Sequence, residues 1–124
     1  MTLFPTVLAI GIGATIGASM RYYLTLLMNT IFGQAFPYGT LSANVVGSFL
    51  AGALMGIILK SELSEMYRLL LIVGMTGSLT TMSTLSLESV EMISYGHYGQ
   101  AGLNLLLNAF LSLSAVGFGV ILTR

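Results

Sequence analysis

The chain has 124 residues, 56% of them hydrophobic and only 6% charged, with four basic and four acidic side chains and no cysteine. An ordinary soluble domain carries about 25% charged residues, so this composition excludes a soluble monomer and describes an integral membrane protein. Zero net charge offers no cationic surface, and no nucleic-acid partner is expected. The lack of cysteine and the single histidine argue against disulfides, iron–sulfur clusters and thiolate or histidine metal sites.

A helix needs about 20 mostly apolar residues to cross a hydrocarbon layer roughly 30 Å thick. Four such runs are expected, at residues 3–27, 39–59, 69–95 and 101–122, forming one transmembrane domain over residues 1–124. The first carries Pro5 in its opening turn, where the missing N–H does no harm. Arg21, toward its far end, can snorkel to the headgroups, and Gly13 and Gly17 offer a face for close helix contact. A polar link through Asn29, Gly33, Gln34 and Pro37 follows.

On the second run, Asn44, Ser48, Gly52 and Gly56 recur at every fourth position, a small-residue stripe headed by an amide. At membrane depth Asn44 must find partners, and its two N–H donors serve either a neighbouring helix or an ion. Lys60, Glu62, Glu65 and Arg68 mark a solvated loop. Lys60, Arg68 and Arg124 fall on one side of the membrane and Arg21 toward the other. So few charges specify orientation weakly, and insertion in both directions stays open.

The third run starts apolar and then changes character, with Gly74, Gly77 and Ser78 followed by Thr80, Thr81, Ser83, Thr84 and Ser86. These poor helix formers predict an unwound break near residues 77–80. Irregular backbone survives in a bilayer only under a cover of protein or water, so a break implies a buried interface or a cavity. Freed carbonyls there suit a cation and freed N–H groups an anion; the alternative is a kink that binds nothing. Glu88 follows Thr80 and Thr84 by four-residue steps. It is a functional group if it lies within the hydrocarbon layer, and a solvated charge if tilt carries it with Glu91 to the interface. The fourth run aligns Asn104, Asn108 and Ser112 at four-residue spacing. Three aligned polar groups exceed what packing demands and point to a pore-lining or ligand-facing role. His97 reads as an exposed turn residue, and Tyr22, Tyr23, Tyr38, Tyr95 and Tyr98 as an interfacial belt.

Residues 38–44 (Tyr-Gly-Thr-Leu-Ser-Ala-Asn) and 77–88 (Gly-Ser-Leu-Thr-Thr-Met-Ser-Thr-Leu-Ser-Leu-Glu) resemble the small dual-topology fluoride channels of the CrcB/Fluc family. The resemblance extends to residues 13–21 and to Gly-Phe-Gly at 117–119. It implies an all-α membrane protein with four transmembrane helices, the third broken near its middle, paired as an antiparallel dual-topology homodimer in the cell (inner or plasma) membrane. It further implies passive export of cytoplasmic fluoride through two pores at the dimer interface. A structural sodium ion at the centre would be held by the backbone carbonyls matching Gly77 and Thr80. Asn44 matches the pore asparagine. Met82, Ser83, Thr84, Leu85, Asn104, Asn108 and Ser112 match the fluoride pathway, with Arg21 and Glu88 in vestibule or supporting roles.

The chain departs from the family pattern at Met82 and Leu85, where the family has phenylalanines whose positively polarised ring edges face the anion. Neither side chain has such an edge. Asn108 stands in place of a serine and Asn104 in place of a tyrosine. These departures leave open a second reading, a pore-degraded subunit of a heterodimeric channel. A proton-coupled multidrug exporter would need an embedded carboxylate, and the first run has none. No nucleophile–base pair or phosphate-binding glycine loop points to an enzyme.

Overall fold

The computed structural model describes residues 2–124. Its elements are α1 (Leu3–Phe32), α2 (Tyr38–Lys60), the short α3 (Glu65–Arg68), a π-helical stretch (Leu69–Thr76), the single turn α4 (Gly77–Leu79), α5 (Met82–Ser94) and α6 (Tyr98–Thr123). There is no strand among the described residues. Four segments are long and apolar enough to cross a membrane: α1, α2, the composite stretch Glu65–Ser94, and α6. The chain is a multi-pass membrane protein.

The end of α1 and the starts of the third and fourth spans run beyond their expected limits for identifiable reasons. Residue 27 does not end α1, because Asn29 and Thr30 stay helical and Thr30 folds its hydroxyl back onto the Leu26 carbonyl at 2.8 Å. The stop comes at Gly33, whose φ of 76° ends the helix while its N–H bonds the Asn29 carbonyl at 3.0 Å. Gly96, with φ 79°, turns the chain so tightly that α6 starts at Tyr98 instead of residue 101. Half of the expected solvated loop is helical, since α3 begins at Glu65 and pairs it with Arg68 at 2.7 Å. That pair is exposed and contributes little stability.

Small residues hold the bundle together. The buried apolar side chains are Ala9, Ala43, Leu79, Leu85 and Ala101. Lipid tails are as apolar as leucine, so helices associate through close backbone approach instead of by hiding large side chains. A methyl group added to Gly13 or Gly17 would strike the carbonyls of Leu70 or Met75 in the π-helical stretch. The same addition at Gly52 would strike the Val116 carbonyl on α6, and at Gly119 the Phe49 carbonyl on α2. Thr123 adds a cross-helix bond, donating from Oγ1 to the Ala53 carbonyl at 2.9 Å. The packing role expected of both glycine stripes is therefore what the geometry displays. Leucine, phenylalanine and isoleucine side chains cover the outside, among them Phe110, Leu113 and Ile121.

A candidate polar site between α2, α5 and α6

Between α4 and α5, Thr80 (φ −80°, ψ 152°) and Thr81 (φ −151°, ψ 114°) are extended. Gly77, placed at the start of the expected break, is itself helical, with φ −63° and ψ −31°. Extended backbone gives up helical hydrogen bonds, and in a bilayer those groups need other partners. Asn44 supplies them. Its Oδ1 accepts from the Thr81 N–H at 2.7 Å and its Nδ2 donates to the Thr81 carbonyl at 3.3 Å, so one carboxamide serves one residue's peptide groups. Thr81 in turn caps α5, its Oγ1 accepting from the Thr84 N–H at 3.2 Å and donating to the Thr84 hydroxyl at 3.0 Å.

From Asn44 the polar chain continues onto α6. Asn44 Nδ2 donates to Asn108 Oδ1 at 2.8 Å, and Asn108 Nδ2 donates to the Asn104 carbonyl at 2.8 Å and to Asn104 Oδ1 at 3.0 Å. Asn104 Nδ2 donates to Ser89 Oγ at 3.2 Å. Burial is nearly complete, with Asn104 at 0% and Asn108 at 3% exposure. Of the two uses open to Asn44, the neighbouring-helix one is realised within this chain; an ion would have to share or displace those partners.

Beside this chain lies an open groove of about 490 Å³. Asn44, Ser48, Thr81 and Asn108 line its polar side, and Met82, Leu85 and Leu105 its apolar side. Ser112 also lines it, and its buried Oγ has no hydrogen-bond partner among the described residues. Met82 sits 69% exposed whereas Leu85 is buried. Thr80 borders the groove, but Ser83 and Thr84 face elsewhere, Ser83 lying exposed within 3.1 Å of the Thr81 hydroxyl. Asn104 lies beneath the groove and supports Asn108 instead of lining it.

Glu88 belongs to a second cavity, about 360 Å³, shared with Thr40, Asn29, Glu91, His97 and Gln100. Thr40 donates from Oγ1 to Glu88 Oε1 at 2.6 Å, and Oε2 is buried without a partner among the described residues. Glu88 is thus half-buried at a mouth that also holds Glu91, between the two alternatives read from sequence. Arg21 is half-buried on α1 and lines neither cavity. Sequence reasoning missed Ser89, which ends the amide chain, and gave no role to Thr40. The signal for Ser89 was its place one turn after Leu85; for Thr40, its place one turn before Asn44.

The four spans thus place the buried amides of Asn44 and Asn108 beside an open groove. The chain belongs to the CrcB-like family: the family described as CrcB-like protein, Camphor Resistance (CrcB), matches residues 8–120. It is 42% identical over 113 residues to the fluoride-specific ion channel FluC of Shewanella frigidimarina, with 91% of each chain covered. It is 40% identical over 112 residues to the FluC of Shewanella oneidensis, covering 90% of each. The match to the FluC of Shewanella pealeana is 45% over 73 residues, and there the chain spans 59% of its relative's length.

Proposed function

We propose that this protein is a fluoride-selective channel of the cell membrane, releasing cytoplasmic fluoride passively through two pores at the interface of an antiparallel homodimer. The observation that carries the reading is the groove in which Asn44, Asn108 and Ser112 converge, on a chain similar along nine-tenths of its length to fluoride-specific channels. Fluoride holds its water tightly, so a narrow pore must replace that water with small donors placed in series. Hydroxyls and amides border this groove, the amide N–H groups engaged within the chain and the Ser112 hydroxyl without a partner among the described residues. In this reading a second copy closes the groove's open side, where Met82 stands exposed.

A central sodium ion fits the carbonyl chemistry of the α4–α5 junction. In a continuous helix the Gly77 carbonyl would accept from the Thr81 N–H and the Thr80 carbonyl from the Thr84 N–H. Here the Thr81 N–H is diverted to Asn44 and the Thr84 N–H to the Thr81 hydroxyl. Both carbonyls are left without their helical partners, and Gly77 lies exposed on the surface. Two copies related by a two-fold axis would contribute four oxygens, a set suited to a hard cation. Bound sodium would supply charge and cross-linking at the contact, and Gly77 and Thr80 would hold it.

The absence of ring edges at Met82 and Leu85 keeps a second reading, a subunit of a heterodimer whose own pore is degraded. Recordings in planar bilayers separate the two. Currents through the purified homodimer are expected to reverse at the fluoride equilibrium potential whatever the chloride gradient. A silent but intact homodimer favours the heterodimer, and a current that follows protons or organic cations favours an exporter built on Glu88.

A further inference from the structure

Five hydrogen bonds run in one direction from the Thr81 N–H through Asn44, Asn108, Asn104 and Ser89, whose Oγ donates to the Leu85 carbonyl at 2.7 Å. The two ends are backbone groups without a choice: a peptide N–H only donates and a peptide carbonyl only accepts. Every carboxamide between them is thereby fixed in one of its two orientations, since inverting any one sets N–H against N–H or oxygen against oxygen. The polarity of the buried chain is a property of the fold.

That polarity has a consequence at the groove. Both N–H donors of Asn44 are engaged, one by the Thr81 carbonyl at 3.3 Å and the stronger by Asn108 Oδ1 at 2.8 Å. Asn108 turns its oxygen toward Asn44 and commits its own NH2 group to Asn104. An anion entering here meets a donor already in use and, beside it, a carbonyl oxygen that repels it.

Building on the fluoride-channel reading, we propose that Asn108 is an affinity-setting latch, competing with the anion for the Asn44 N–H while Asn104 holds it in the competing orientation. Asn108 acts through Asn44 as a positioning residue. The anion gains the Asn44 donor only when Asn108 rotates away or inverts. A serine at 108 removes the competition, because a hydroxyl rotates to donate as readily as it accepts.

Fluoride efflux from liposomes, measured as initial rate against internal fluoride concentration, tests the latch in the wild type, N108S and N104S. The half-saturating fluoride concentration should fall about fivefold in N108S, the factor of one net hydrogen bond. It should fall about twofold in N104S, where the backbone carbonyl still holds Asn108 but the carboxamide oxygen is replaced by a shorter hydroxyl that donates as readily as it accepts. Damage that is only structural lowers the maximal rate and leaves half-saturation unmoved or raised. Wild-type efflux with an unchanged or higher half-saturation in folded N108S overturns the latch and leaves the channel reading standing. Absence of fluoride efflux from the wild type removes the channel reading and the latch with it. Should N108S not fold, an unchanged half-saturation in N104S overturns the latch alone.

Discussion

Asn44 carries two duties that ordinary channel logic would treat as one. It faces the groove, and it also satisfies both peptide groups of Thr81. Replacing it with leucine should therefore abolish fluoride flux and destabilise the fold together. Each stranded buried peptide group costs about 1–3 kcal/mol, so Asn44→Leu should unfold at a clearly lower temperature in detergent. Normal flux in that variant would take Asn44 off the ion path. Restoring phenylalanine separates two positions that look alike in sequence. Met82 is exposed on the groove rim, so Met82→Phe should shift half-saturating fluoride with little change in thermal stability. Leu85 is buried, so Leu85→Phe should cost about 1–3 kcal/mol of overpacking, seen as a lowered melting temperature. At this scale the sequence revealed which residues are polar at membrane depth. It did not reveal that the amides of α2 and α6 bond one another, since that depends on two helices distant in the chain meeting in one register.

Elements follow the same division between local and distant causes. Hydropathy placed all four spans, because twenty apolar residues in a row have few other uses. Lys60 does end α2 as a charged stop, but the polar Asn29 does not end α1. Thr30 satisfies itself against its own helix, and only the positive φ of Gly33 ends α1. The expected break at residues 77–80 includes Thr80, which is extended, but Gly77 is helical and the second extended residue is Thr81, one beyond it. Glycine at 77 permits irregularity; the Asn44 carboxamide is what takes up the Thr81 peptide groups. The glycines themselves sort by contact. Gly52→Ala sets a methyl against the Val116 backbone and should lose about 1–3 kcal/mol, whereas Gly117→Ala meets nothing within 4 Å and should stabilise by up to about 1 kcal/mol through helix propensity. Thermal unfolding followed by circular dichroism compares them directly, and equal losses in both variants would contradict the packing seen between α2 and α6.

For the whole molecule, one copy leaves the groove open along Met82 and the Gly77 backbone exposed. The antiparallel pairing proposed above would cover both features; composition and periodicity alone could not supply such a partnership, which only the family resemblance implies. If sodium is held at the centre of that pair, replacing it on both sides of the membrane with a large organic cation should lower fluoride flux, and flux indifferent to sodium would contradict the carbonyl site. The most direct test is efflux from liposomes loaded with potassium fluoride or potassium chloride, with sodium kept on both sides of the membrane and valinomycin added to relieve the voltage. The purified protein should empty fluoride rapidly while chloride stays inside. Retention of fluoride by a folded dimer, or equal release of both halides, would contradict a fluoride-selective channel.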